Sequence, residues 1–276
     1  MSVVKKTKKI TVHTFADKKA RGKKIAVLTA YDCITARLLD QAGIDSILVG
    51  DSAGNVIHGF RSTLPVTMDI MVAHTAAVAR GTETALVVAD MPFLSYQPSE
   101  ETAIRNAGRF LKEGGAEAVK MEGGLEMVPT VRRLVECGIP VMGHIGMTPQ
   151  SIHRLGGPRV QGRGEESRAY LLESALALEE AGCFSMVLEL IEKTTAARIT
   201  AELKTAATIG IGAGPDCDGQ VLVINDILGL REPGFKPKFL REYADLSTAI
   251  TDAVERYISD VESGGYPGDD ESYSDN

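Results

Sequence analysis

Eight short apolar runs punctuate the chain, at residues 25–30, 46–50, 85–89, 118–121, 141–145, 184–188, 208–211 and 221–224. Each is mainly aliphatic, and none alternates apolar with polar residues. Runs of that kind suit strands buried on both faces, as in a parallel sheet. Between most of them apolar residues recur at helical spacing, over 35–42, 69–80, 99–113, 127–137, 167–181 and 194–204. The punctuation agrees. Ser99, with Thr102 and the acids Glu100 and Glu101, marks a helix start, and Gly114, Gly138 and Gly182 mark helix ends. Strand and helix alternating about eight times over roughly 250 residues predicts an α/β fold, a (β/α)8 TIM barrel.

The last unit departs from that rhythm. Only "GAGPDCDGQ" separates the seventh and eighth runs, too short a piece for a crossover helix, so a distorted closing unit is expected. Residues 239–263 read as one or two C-terminal helices closing the barrel. From residue 264 the chain becomes "GGYPGDDESYSDN", with four acids and no bases, which reads as a disordered tail. The expected organisation is a single barrel domain over 1–263 and an acidic tail over 264–276.

Composition narrows the classes. The 276 residues are 44% hydrophobic and 24% charged, enough for a sizeable core. A net charge of −7 argues against nucleic acid as a partner. The first residues are locally basic, with Lys5, Lys6, Lys8, Lys9, Lys18, Lys19, Arg21, Lys23 and Lys24. No apolar stretch follows them as in a secretory signal, so a solvated arm is expected. Cys33, Cys137, Cys183 and Cys217 lack metal-site spacing and read as free thiols in a reducing cytoplasm. No apolar run has the length of a membrane span, so no membrane partner is expected.

Catalytic groups of such barrels gather at the C-terminal ends of the strands. Here those ends carry Asp51 and Ser52 after the second run, Asp90 after the third, Lys120 and Glu122 at the fourth, His144 in the fifth and Glu189 after the sixth. An acid at one strand end is an ordinary turn former. Asp51, Asp90 and Glu122 from three successive strands would instead share one barrel mouth. Such a cluster repels itself, so either some members protonate or a cation sits among them. All-oxygen ligands without cysteine favour Mg2+ or a similar hard ion. Lys120 lies two residues before Glu122, on the same side of an extended segment, and suits a substrate carboxylate. His144 is a candidate lining residue. Glu189 follows the apolar run "FSMVL", which predicts an apolar setting for it. "GIGAG" after the seventh run is either a phosphate cradle or tight packing. The connections 51–68 and 146–166, which show no helical pattern, have the length of lids or binding loops.

These segments together, "VGDSAGNVIHGFRSTLPVTMDIMVAHTAAVARG", "VVADMPF", "VKMEGG", "GHIGMTPQ", "VQGR", "VLE" and "GIGAGPDCDGQVLVINDILGL", resemble the ketopantoate hydroxymethyltransferase family over residues 10–260. The resemblance implies a Mg2+-dependent barrel enzyme of pantothenate and coenzyme A biosynthesis. It would transfer a one-carbon unit from 5,10-methylenetetrahydrofolate to 3-methyl-2-oxobutanoate, giving ketopantoate. By motif, Asp51 and Asp90 resemble the metal ligands and Glu122 the third acid of that site. Asp51, Ser52, Asp90 and Lys120 resemble the substrate-binding set, and Glu189 the proton acceptor. Large homo-oligomers, often decamers, are also implied. Ala53, Asn55, Pro158 and Asn225 depart from the family's usual residues.

The implied chemistry is coherent. A 2-oxo acid can chelate one hard cation through its carboxylate and keto oxygens, which acidifies the adjacent C3–H and stabilises the enolate. A carboxylate base then removes that proton. The alternative enzyme reading is a Mg2+-dependent C–C lyase or mutase of the phosphoenolpyruvate/isocitrate-lyase type. The lyases call for a reactive cysteine, and no cysteine falls at a strand end among the acids. A non-catalytic barrel serving as a binding protein is the alternative of another class, and it need not retain metal affinity.

Overall fold

A computed structural model describes residues 8–231 and 236–274. In chain order the elements are helix α1 (Val12–Ala20), strand β1 (Ile25–Thr29), α2 (Cys33–Ala42), β2 (Ser46–Val49), α3 (Ala53–Val56), α4 (Met68–Gly81), β3 (Leu86–Asp90), α5 (Glu100–Lys112), β4 (Ala118–Glu122) and α6 (Val128–Glu136). They continue with β5 (Val141–Gly146), α7 (Ile152–Leu155), α8 (Glu165–Glu180), β6 (Ser185–Glu189), α9 (Lys193–Glu202), β7 (Ala207–Ile211), β8 (Gly219–Leu222), α10 (Ile224–Ile227) and α11 (Leu246–Ser263). The eight strands pair in order, all in parallel, and β8 returns to β1 to close the barrel. This is the (β/α)8 barrel that the apolar runs predict. No helix separates β7 from β8, so the last unit is distorted as expected. Strand β8 starts two residues earlier than its apolar run, and Ile224 belongs to α10.

The strands look uniformly apolar because both faces are buried, but the two faces meet different neighbours. Ile47, Val49, Val87, Ala89, Val119 and Met121 pack with helix residues such as Met71, Ala103 and Phe110. Leu48, Leu86, Val88, Ala118, Met142 and Val187 fill the barrel interior. The interior series turns polar toward the strand ends: Leu86, Val88, then Asp90 on β3, and Ala118, Lys120, then Glu122 on β4. That change positions the site.

From Lys9 onward the basic N-terminal segment is not a free arm. From residue 12 it forms α1, whose Phe15 is fully buried in the interior cluster and meets Phe184 edge-on at 5.4 Å. Three of its lysines are paired: Lys9 with Glu117 at 2.6 Å, Lys18 with Asp45 at 2.6 Å and Lys19 with Asp218 at 2.8 Å. These acids lie close to the N-terminal ends of strands, and the apolar residues between the lysines are what dock. Lys5 and Lys6 lie outside the described residues.

By internal contacts the chain divides into two compact units, one through Val223 and one from Ile224 onward. The first holds the whole barrel. The second holds α10 and α11. Of the stretch 239–263 only Leu246–Ser263 is helical, and none of those residues is buried. Within the segment read as a disordered tail, Asp269–Glu271 form one turn of 3-10 helix, with Gly268 N donating to Glu271 Oε2 at 2.9 Å. Asp275 and Asn276 lie outside the described residues.

Candidate active site

A cavity of about 180 Å³ opens at the C-terminal end of the barrel. Asp51, Ser52, Asp90, Lys120, Glu122, His144 and Glu189 all line it, so every candidate from the strand ends is gathered in one place. Its remaining wall is largely apolar, with Leu48, Val187, Ile211 and Val221 among the lining residues.

Register explains the convergence. Asp90 pairs with Lys120, Glu122 with His144, and Gly146 with Glu189. Gly146 is a position where only glycine serves. Its φ is +100°, and a Cβ there would lie 2.3 Å from the backbone oxygen of Glu189. Strands β5 and β6 thereby approach closely enough to set His144 beside Glu189.

The sequence asks what cation compensates the acids, and part of the answer is protein. Lys120 Nζ lies 2.8 Å from Asp90 Oδ1 and 3.8 Å from Glu122 Oε1, with all three side chains withdrawn from solvent. Burial opposes the Lys120 charge, yet Asp90, Glu122 and Asp51 together raise its pKa above the ordinary lysine value. It is a permanent cation. Burial is also the main cause that raises the Asp90 carboxyl to about 7; the nearby Asp51 adds to it and Lys120 opposes it. Burial likewise raises Glu122 well above the usual carboxylate range, against the pull of Lys120. One lysine therefore does not balance four acids.

His144 bridges the two halves of the site. Its Nδ1 lies 3.1 Å from Lys120 Nζ and its Nε2 lies 3.3 Å from Glu189 Oε2. An ammonium has only protons to offer, so Nδ1 accepts and the ring proton sits on Nε2, facing Glu189. Burial, then the Lys120 charge, lowers the His144 pKa and keeps the ring neutral. The Nε2 contact is loosely aligned, as free catalytic sites often are. Glu189 itself is partly exposed and faces His144, so its setting is not the apolar one that "FSMVL" predicts: that run fills the barrel wall while the acid stands at the open rim.

Two residues that sequence reading left unassigned hold the acids. Gln150, in the connection after β5, donates from Nε2 to Asp51 Oδ2 at 3.0 Å and from its backbone N to Glu122 Oε2 at 3.0 Å. Tyr96, in the connection after β3, donates its hydroxyl proton to Gln150 Oε1 at 2.8 Å and accepts from Glu122 N at 3.0 Å. Gln150 is the last residue of the motif "GHIGMTPQ" and Tyr96 lies three residues beyond "VVADMPF", the only sequence signal they carry. Ser52 Oγ meets Tyr31 Oη at 2.8 Å. Connection 146–166 is less open than expected: Thr148 and Gln150 are buried, and Gln161 N donates to Leu190 O at 2.7 Å. The "GIGAG" segment is read as packing, since a Cβ at Gly210 would meet Cys217 Sγ at 2.9 Å and one at Gly214 would meet Lys193 Cβ at 2.8 Å.

Whether these residues fit a hard cation can be judged from their unused oxygens. Asp90 Oδ1 and Glu122 Oε1 are buried and accept no hydrogen bond, although the Lys120 ammonium stands near both. Among the described residues no three His, Cys, Asp or Glu side chains form a ready-made cage. An open, oxygen-only site completed by substrate and water is how Mg2+ is commonly held. The donor set fits.

A larger hollow of about 400 Å³ lies beside α1, α6 and α8. Of its titratable lining groups, Glu179 is engaged in capping the backbone N–H groups of Lys204, Thr205 and Ala206.

Comparison with known proteins points one way. A sequence model of the family described as ketopantoate hydroxymethyltransferase matches residues 9–269. A 3-methyl-2-oxobutanoate hydroxymethyltransferase of Geobacter sulfurreducens is 58% identical over 93% of this chain and 95% of its own length. One of Trichlorobacter lovleyi is 56% identical over 97% of this chain and 99% of its own. Among solved structures, 2,3-dimethylmalate lyase, a PEP mutase/isocitrate lyase superfamily member, superposes with a TM-score of 0.58 at 18% identity, over 96% of this chain and 92% of its own, a likeness of fold alone.

Proposed function

The chain belongs to the ketopantoate hydroxymethyltransferase family, and from that premise we propose how its residues carry the reaction. The enzyme transfers a hydroxymethyl group to 3-methyl-2-oxobutanoate. Its substrates are small molecules, in keeping with a cavity of about 180 Å³.

The single observation that carries the residue assignment is the polarity of this cavity. A fixed ammonium and three acids stand on one side, and a histidine-held carboxylate stands on the other. In our reading Lys120 and Ser52 bind the carboxylate of the 2-oxo acid, while Leu48, Val187, Ile211 and Val221 surround its branched end. Asp51 and Asp90 hold Mg2+, with Glu122 as the third acid of that site. A cation bound there supplies Lewis-acid polarisation of the keto group. Glu189 takes the C3 proton, and neutral His144 aims it through Nε2–H. The proton donor and acceptor roles follow from Lys120, whose charge locks the His144 tautomer.

The one-carbon donor is 5,10-methylenetetrahydrofolate in this reading, and the product is ketopantoate. No cysteine among the described residues lines the cavity, so a lyase with a cysteine acid gains no support. Helix α11 presents Ile250, Val254, Tyr257, Ile258 and Val261 to solvent at helical spacing. An apolar face of that kind favours self-association, and we read the enzyme as a homo-oligomer, of decamer type by family resemblance. Four free thiols suit the cytoplasm. Among the described residues no helix is long and apolar enough to cross a membrane.

The test is formation of ketopantoate from 3-methyl-2-oxobutanoate and methylenetetrahydrofolate, with and without a chelator. Product that needs the folate and vanishes on chelation is expected. Undiminished turnover after chelation would remove the cation, and turnover with formaldehyde but not with the folate would remove the folate.

A further inference from the structure

Gln150 touches two of the acids that line the cavity, Asp51 and Glu122. Its amide orientation is determined by its partners: Asp51 Oδ2 and Met91 O only accept, so Nε2 must face both, at 3.0 and 2.9 Å. Its Oε1 is then left to accept from Tyr96 Oη at 2.8 Å and Gln97 Nε2 at 3.2 Å. Its backbone N occupies Glu122 Oε2. Tyr96 grips the same Glu122 through its backbone, accepting from Glu122 N at 3.0 Å, and its one hydroxyl proton is shared between Gln150 Oε1 at 2.8 Å and Glu122 O at 3.1 Å.

Tyr96 is itself held in place. It is 1% exposed, and the turn before it is tied by Ser95 N donating to Pro92 O and by Asn106 Nδ2 donating to Ser95 O at 2.7 Å. Leu94 within that turn has a φ of +62°, a conformation costly for leucine that persists only where the surroundings impose it. The phenol is thus delivered to Gln150 by a strained turn, from a different connection.

We propose that Tyr96 and Gln150 are positioning residues for the reaction. Together they hold one carboxylate oxygen of Asp51 and one of Glu122, leaving the second oxygen of each acid to the cavity both line. The inference rests on the reading of these acids as a cation site, and assigns the cation's fit to two residues that do not touch it. Partners of this kind orient ligating groups and typically change cation affinity 10–100-fold when lost.

The experiment uses the full chain with Mg2+ and 3-methyl-2-oxobutanoate, in wild type, Tyr96→Phe and Gln150→Met. Calorimetry reads the affinity for Mg2+ in the presence of keto acid, and NMR reads exchange of the C3 hydrogen with deuterated water. We expect each variant to bind Mg2+ roughly 10–100-fold more weakly, with exchange restored toward the wild-type rate by excess Mg2+. Tyr96→Phe keeps the ring that fills the site, so it reports even where Gln150→Met folds poorly. Wild-type affinity in a folded variant, or a loss of exchange that excess Mg2+ does not restore, would overturn the positioning role. Absence of exchange in the wild type itself would instead overturn the reading on which it rests.

Discussion

Lys120 Nζ lies 2.8 Å from Asp90 Oδ1, with both side chains at most 4% exposed. Removing one partner of such a pair leaves a buried charge uncompensated and costs about 3–5 kcal/mol. Lys120→Met is therefore expected to lose about that much stability at pH 8. The loss should shrink at pH 5.5. The folded Asp90 carboxyl is raised to about 7 against 3.8 in the unfolded chain, so it keeps a proton where the unfolded chain has lost one. That contribution is present at low pH and lost as pH rises through the folded value, which losing Lys120 moves higher still. Urea denaturation at the two pH values measures it; equal losses would rule out an unpaired Asp90 charge as the cause.

The same carboxyl makes cation binding pH-dependent. To hold Mg2+, Asp90 must give up its proton, so affinity should fall roughly tenfold per pH unit below about 7 and level off above. Binding should release about half a proton at pH 7, rising toward one proton at lower pH. Calorimetry in buffers of different ionisation enthalpy counts it. An affinity that is flat from pH 6 to pH 8 would show that Asp90 is already ionised in the free enzyme.

Glu189→Gln separates the base from the cation site. Loss of a general base costs about 10²–10⁴-fold. Exchange of the C3 hydrogen with deuterated water should drop by that factor, while Mg2+ and keto-acid affinities stay near wild type. Wild-type exchange in the variant would move the base elsewhere.

Phe15→Ala tests the docking of α1 at the far end of the barrel. Deleting a fully buried phenylalanine costs about 3–5 kcal/mol. Thermal denaturation should register it, with C3 exchange at saturating substrate unchanged at temperatures where the variant is folded. Unaltered stability would mean that α1 is dispensable to the core.

Much of this protein was determined by its linear order. The eight apolar runs, the glycine stops and the acids at their ends suffice for a parallel barrel with a polar mouth, because strand period and buried faces are local properties. Asp51, Asp90, Lys120, Glu122, His144 and Glu189 were legible for the same reason: each stands at or near the end of its own run. Only the tertiary structure decided what these residues do to one another. Lys120 neutralises Asp90 because the register of β3 and β4 sets them side by side, and His144 faces Glu189 because Gly146 lets β5 and β6 close up. Tyr96 and Gln150 carried no periodicity and no strand end, so although Gln150 closes the motif "GHIGMTPQ", only the folding back of their connections reveals what they hold. The N-terminal lysines were misread for a related reason. A solvated arm and a docked helix share the same charge, and the difference lies in Asp45, Glu117 and Asp218, distant in sequence but adjacent in space.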